Sequence, residues 1–305
     1  MQKFVVEPFE KEHGIKVNLV TSAPPLATLA AQGDDPEIDL YIAGDPQRLI
    51  AQGQGLLQDY DPAVVTNAAD VYDVARRSPS SVVMNYSSQG LIYDTKKVSP
   101  APTSWFDLFD MNLPQQVVVR APDAQNTISW LTVMAKELNG GKWPTKIEDY
   151  DAVFNLVKTK LKPNLLAAAG SSGDLSGYVY NQQAALAVHQ DNQVIIANRD
   201  HGTSFAYVAP KEGALPIATM VSLTKTKNKY WAEKLMNFIL DPSVQANWAV
   251  NGYYGPSNAK AEVPADIAKD ITYGKEDIDK LIQLPWENII PLTNELIERF
   301  NAAIS

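Results

Sequence analysis

The chain has no cysteine and only three histidines among its 305 residues. Lack of cysteine excludes disulfides, thiolate-bound metals and a cysteine nucleophile together. His13, His189 and His201 are scattered without a second ligand at metal spacing, and His13, followed by Gly14, reads as the last residue of a helix. No apolar run reaches the roughly 18 residues of a membrane span. The first residues are too polar and acidic for a signal peptide, so if the protein is exported its signal is expected to have been removed or not to be included in this sequence. Also missing are a Gly-x-Ser-x-Gly elbow, a His-Glu-x-x-His helix and a dinucleotide glycine fingerprint. No enzymatic constellation is therefore expected, and neither a metal nor another cofactor.

The 26 basic and 35 acidic residues leave a net charge of −9, which opposes nucleic acid and anionic membrane as partners. With 45% apolar and 20% charged residues the chain can bury a sizeable core. Its length exceeds the usual size of one core, so two domains are the default.

Apolar runs and breakers alternate as in an α/β sheet. Residues 15–20 alternate as a strand, 27–32 read as a short helix, and 38–43 as a buried strand running into Gly44-Asp45-Pro46 and a helix. Between 80 and 97, two apolar strands are expected to flank a polar centre at 85–90. A strand at 117–120 precedes helices over 127–138 and 150–161, and a strand at 165–169 leads into the Gly/Ser run 170–177. That run lacks the Gly-Lys-Ser/Thr ending of a phosphate loop and reads as a turn, with a helix starting near Tyr178. A strand at 184–188 and the polar stretch 189–193 follow. In the helix after Lys227, the residues Ala232, Leu235, Met236 and Ile239 share one face, and Asp241-Pro242 stops it. Residues 276–282 and 290–304 read as amphipathic helices.

Polar and aromatic clusters recur at strand ends and connections. They contain Ser22, Asp45, Tyr86, Ser88, Gln89, Asn126, Thr127, Asp174, Asp191, Asn192 and Tyr253. Each has a plain local explanation, because Asn, Asp and Ser favour caps and turns; Asp45 in particular suits the cap of its helix. Ligands of open α/β sheets nonetheless sit beyond the carboxyl ends of strands. Clusters drawn from both halves of the chain would line one cleft if the halves face each other. The adjacent Tyr253-Tyr254 admits a second reading, a ferric-ion or anion-binding transport protein with the phenolates as iron ligands, set against a simple packing pair.

Three stretches stand together from Tyr207 to Asn258: Tyr207-Val-Ala-Pro-Lys-Glu-Gly, Lys227-Asn-Lys running to Phe238-Ile-Leu-Asp-Pro, and Gly252-Tyr-Tyr-Gly-Pro-Ser-Asn. With Phe9-Glu-Lys-Glu-His-Gly-Ile-Lys-Val, Gly90-Leu-Ile-Tyr-Asp-Thr-Lys-Lys-Val and Pro102-Thr-Ser-Trp-Phe-Asp-Leu-Phe, they resemble the bacterial extracellular solute-binding proteins of ABC importers, in particular the spermidine/putrescine-binding branch. The resemblance implies an α/β, two-lobed periplasmic-binding-protein-like fold of type II, with the ligand cleft between lobes that close by a hinge. Lobe one would comprise 1–94 and 212–257, lobe two 98–207 and 262–305, with hinge segments near 95–97, 208–211 and 258–261. It further implies a non-catalytic periplasmic monomer that binds a small-molecule ligand and partners a membrane permease. An enzyme on the same scaffold is the rival from another class. The family opens with a strand before the first helix, whereas Met1 here starts at that helix, so either the sequence is trimmed at this end or another element fills that edge.

The ligand expected from the branch is a small amine or polyamine, with Asp45, Asp174 and Asp191 as candidate carboxylates and Tyr86 as a cation–π partner. The family's Trp near 190–192 is absent. Arg199 or another cleft arginine would instead clamp a carboxylate and point to an amino-acid-like solute such as γ-aminobutyrate.

Overall fold

Fourteen consecutive residues, Ser81–Asp94, form a single strand. The sequence suggests two strands around a polar connection, but backbone pairing on both sides of the polar centre leaves no turn. Asn85 and Tyr86 lie opposite Pro256 and Gly255, and Gln89 lies opposite Gln190. Every side chain from 81 to 92 is consequently buried, polar ones included.

The computed structural model describes residues 1–21, 25–34, 36–122 and 125–305. Its strands are β1 (Leu40–Ala43), β2 (Arg76–Ser78), β3 (Ser81–Asp94), β4 (Val117–Arg120), β5 (Leu165–Ala169), β6 (Leu186–Gln190), β7 (Phe205–Val208), β8 (Leu215–Leu223) and β9 (Gly255–Pro256). The chain divides into two units, one comprising Met1–Ser87 with Ala218–Asp279, the other Ser88–Ile217 with Lys280–Ser305. Two of the three passages between them fall inside strands, at 87/88 in β3 and at 217/218 in β8; the third is at 279/280. Residues 262–279, assigned from the sequence to lobe two, thus group with unit one.

In unit one, β1 pairs antiparallel with β8 from Leu40↔Leu223 to Ala43↔Met220, and β8 borders β3, which also carries β2 and β9. Leu29, Tyr41, Ala51 and Leu56 form one core cluster. Phe9 meets the edge of Phe238 with ring centres 5.4 Å apart. The helix Lys229–Ile239 buries Ala232, Met236 and Ile239, the face its spacing predicts, with Leu235 half-buried. Pro242 both ends that helix and opens the next, Pro242–Gly252, whose first amides are accepted by the Asp241 carboxylate at 2.8 and 3.3 Å from Ser243 and Val244. The missing amide of proline costs nothing at a first helical position.

Residues 15–20 are not a strand, because no strand among the described residues pairs with their backbone. Val17 instead donates its N–H to the Glu10 carboxylate at 2.9 Å, and Leu19 and Val20 stay exposed.

In unit two, β4 runs parallel to both β5 and β6, while β6 and β7 pair antiparallel with the second half of β3. Ile92, Val118, Leu175, Val179, Ala187 and Phe205 belong to its core. Trp130 packs edge-on against Phe300 at 6.2 Å, which brings the closing helix Thr293–Ile304 into this unit. The Gly/Ser run is not a turn throughout: Ser171 caps a helix over Ser172–Tyr180 by accepting the Asp174 N–H at 3.0 Å. Glycine at 173 and 177 lowers helix propensity, yet the cap and the burial of Leu175 and Val179 outweigh it.

Candidate functional site

Each unit carries one group of polar side chains near the middle of β3. In unit one the group is Asp45, Arg48, Arg77 and Tyr86. Asp45 is the first residue of the helix Asp45–Gly53, and Gly44 holds the cap position that the sequence assigned to Asp45. Its carboxylate serves side chains instead. Oδ1 accepts from Arg48 Nη2 at 2.8 Å, one helical turn on, and Oδ2 lies 3.5 Å from Arg77 Nε. Arg48 also donates Nη1 to Gln52 Oε1 at 2.6 Å. Tyr86 is buried beside this group, and burial pushes its hydroxyl up to about 12; Arg77 opposes that shift and Asp45 adds to it. The phenol therefore remains a donor at neutral pH, and its oxygen has no hydrogen-bond partner among the described residues.

In unit two the centre is Asp191, which precedes the helix Asn192–His201 and accepts that helix's first N–H at 2.7 Å. Ser88 donates its hydroxyl to Asp191 at 3.2 Å. Since that uses the one Ser88 proton, Tyr207 is the donor in its 2.7 Å contact with Ser88 Oγ. Burial, with the Asp191 charge adding to it, raises the Tyr207 hydroxyl far above the ordinary phenol value and keeps this donor protonated. Close approach of Tyr207 to the strand depends on Gly90, where a Cβ would sit 2.8 Å from the ring and from Oη.

Behind Asp191 runs a second polar chain. Ser176 Oγ lies 2.9 Å from both His189 Nε2 and Gln193 Oε1, and Tyr180 donates to Gln193 at 2.7 Å. Burial lowers the His189 pKa from 6.5 to about 3, and the nearby Arg120 charge acts in the same direction, so the ring is neutral.

Of the residues singled out in the sequence, the structure brings Ser88, Asp191 and Asn192 into one group in unit two, and Asp45 and Tyr86 into one group in unit one. Gln89 is buried in β3 opposite Gln190. Thr127 is fully buried and donates its hydroxyl to the Arg120 carbonyl at 2.7 Å, while Asn126 stands at the cap of the helix Thr127–Leu138. Asp174 lies exposed in the first turn of Ser172–Tyr180. Tyr253 is a buried left-handed residue, φ 59°, closing the helix Pro242–Gly252, and Tyr254 packs edge-on against Trp248 at 6.0 Å. Ser22 lies outside the described residues. Among the described residues no group of three His, Asp or Glu is placed to hold a metal.

Arg48, Arg77, Tyr207 and Ser176 were not foreseen as members. Arg48 was within reach, because i and i+3 on a helix share a face. Arg77 and Tyr207 come from other strands and left no local signal.

The family profile of the bacterial extracellular solute-binding proteins matches residues 5–274, and the chain belongs to that family. Such proteins bind small molecules for ABC transporters and deliver them to a permease. The chain is 25% identical over 312 residues to the spermidine/putrescine-binding periplasmic protein of Escherichia coli K12, covering 97% of this chain and 86% of the relative. It is also 25% identical over 303 residues to a Salmonella typhi periplasmic protein named for 2-aminoethylphosphonate binding, with 97% and 85% covered. A solved GABA receptor superposes with a TM-score of 0.81 at 20% identity, covering 100% of this chain and 93% of the other. The fold is that of the periplasmic binding proteins, mixed α/β and two-lobed. Among the described residues no helix is long and apolar enough to cross a membrane.

Proposed function

We propose that this protein is the non-catalytic capturing component of an ABC importer. It takes a small amine, polyamine or amino-acid-like solute by closure of its two units and hands it, as a periplasmic monomer, to a membrane permease. Ser88, Gln89, Asp191 and Asn192 in unit two, with Asp45 and Tyr86 in unit one, are the contacts proposed for the solute.

The observation that carries this reading is the run 85–89 in β3. Within five residues, Asn85 Oδ1, Tyr86 Oη, Ser87 Oγ and Gln89 Oε1 are buried without a hydrogen-bond partner among the described residues. Each such group costs about 1–3 kcal/mol, so four in one strand are a burden that folding alone gives no reason to keep. A polar solute would satisfy those on the face it meets, since Asn85, Ser87 and Gln89 share one face of the strand and Tyr86 the other, and the run lies where the chain passes from one unit to the other. The relatives' printed ligands, spermidine, putrescine, 2-aminoethylphosphonate and GABA, all carry an amine, which supports an ammonium partner for Asp191.

Isothermal titration against putrescine, spermidine, γ-aminobutyrate and 2-aminoethylphosphonate tests the proposal. Saturable heat and a raised melting temperature with at least one of them are expected. No heat and no shift with any would sink the amine reading. Recovery of the bound solute chemically unchanged after long incubation separates capture from turnover.

A further inference from the structure

We propose that Gln193 is a positioning residue, which locks the Asn192 amide so that its NH2 group is left for the solute. Unit two by itself then selects an amine that also carries an acceptor oxygen, a reading that rests on the solute-binding role above. The chain of contacts starts at Gln193 Oε1. Two hydroxyls converge on it, that of Tyr180 at 2.7 Å and that of Ser176 at 2.9 Å. A separation of 2.7 Å is the usual one for a hydroxyl donating to oxygen, so the oxygen of this amide, and not its nitrogen, meets the hydroxyls. The other contact of Ser176 agrees. With its one proton given to Gln193, Ser176 accepts at 2.9 Å from Nε2–H of the neutral His189 ring.

A glutamine amide has one oxygen and one NH2 group, and the oxygen is taken. Gln193 Nε2 therefore donates to Asn192 Oδ1, at 3.4 Å. That contact sets the second amide in turn. With Oδ1 held by Gln193, Asn192 has Nδ2 left over, and Nδ2 is buried without a hydrogen-bond partner among the described residues. The whole residue is 0% exposed, so water does not solvate it. A buried donor left unmade is a standing penalty, which an acceptor atom on an enclosed solute removes.

Asp191, directly before Asn192, supplies the opposite chemistry. Its carboxylate accepts from the Asn192 N–H and from Ser88, and an ionised carboxylate has further lone pairs for an ammonium. Ser176, Tyr180, His189, Asp191, Asn192 and Gln193 all belong to unit two. One unit thus offers an acceptor for the ammonium and a donor for an oxygen. A polyamine, which brings donors alone, meets the first and leaves the second unmade.

Calorimetry on the full chain decides it. The oxygen-bearing amines are 3-aminopropanol, 4-aminobutanol, γ-aminobutyrate and 2-aminoethylphosphonate; the others are 1,3-diaminopropane, putrescine and spermidine. The tightest oxygen-bearing amine is expected to bind at least about tenfold more tightly than the tightest polyamine, because a polar group left unpaired discriminates strongly. Asn192→Leu, which keeps the shape and removes the donor, should bring that ratio close to one. Gln193→Met, which leaves Asn192 in place but unheld, should lower the same ratio, whereas a merely structural role would weaken both classes alike. A polyamine that binds as tightly as any oxygen-bearing amine, or a ratio unaltered in both variants, overturns the proposal while leaving solute capture intact. Silence with all seven would overturn the solute-binding role itself. The ranking on the unmodified protein needs no variant to fold.

Discussion

Tyr207 Oη sits 2.7 Å from Ser88 Oγ, and through Ser88 it is linked to the carboxylate of Asp191. The relay Tyr207 to Ser88 to Asp191 is directional, because a buried phenol donates, the serine passes on its one proton, and the carboxylate accepts. It fixes the orientation of an acid that is 4% exposed. Four measurements test this relay and the other buried polar groups.

Gly90→Ala should damage the relay from the opposite side. The added methyl would meet both Tyr207 and the Val208 carbonyl, and only the ring can move. Overpacking of this kind costs about 1–3 kcal/mol. Urea unfolding should show that loss, and Tyr207→Phe alone should show about 1 kcal/mol, the worth of one hydrogen bond. Equal stability of Gly90→Ala and the unmodified chain would mean that the strand and Tyr207 separate without penalty.

Asp191→Ala should weaken an ammonium-bearing solute by about 1–3 kcal/mol, the value of a hydrogen bond to a charged group. Part of the change will be in stability, since Asp191 also accepts the N–H of Asn192. Titration calorimetry at a temperature where the variant is folded separates the two. An unchanged dissociation constant would remove Asp191 from the site.

Asp45→Ala leaves two guanidinium groups facing a methyl. Breaking a buried ion pair by deleting one partner costs roughly 3 kcal/mol, because the other charges stay behind. The double variant Asp45→Ala with Arg48→Met should regain part of that loss, and a double-mutant cycle by chemical denaturation would read the coupling. Additive losses would contradict the pairing.

Stability should fall with acid on account of His189. Its folded pKa of about 3 lies below its ordinary value of 6.5, so between these limits the unfolded chain holds a proton that the folded protein does not. Stability from this group is full above pH 6.5 and declines as pH falls towards 3, with a slope of at most about 1.4 kcal/mol per pH unit. His189→Gln, which keeps a hydrogen-bonding group without a charge to acquire, should flatten the profile over that window. An unchanged slope in denaturation measured from pH 7 to 4 would show that the ring titrates normally.

Much of the fold could be read along the chain, wherever a residue's neighbours in sequence are also its neighbours in space. The helix Lys229–Ile239 follows from the spacing of Ala232, Met236 and Ile239, and its end from Asp241-Pro242. The turn at Gly14, the strand at Leu40–Ala43, of which only Tyr41 is buried, and the class of the fold are legible in the same way. The failures share one cause. Residues 15–20 have the alternation of a strand and no partner, whereas residues 85–90 have the composition of a loop and pair on both sides. Strand formation is settled by hydrogen bonds to another segment, and a local pattern cannot announce whether that segment arrives.

The same division runs through the site. Sequence by itself determined that Asp45 follows a strand and that Asp191 stands among polar residues, since position along the chain sets both. It also determined the absence of cysteine chemistry and the general class of protein. Only the tertiary structure decided what those acids face: Arg77 reaches Asp45 across 32 residues, and Ser88 reaches Asp191 across 103. Whether a carboxylate stands beside hydroxyls or is engaged by two arginines depends on groups brought together by folding, because Coulomb attraction falls with distance in space and takes no account of separation along the chain.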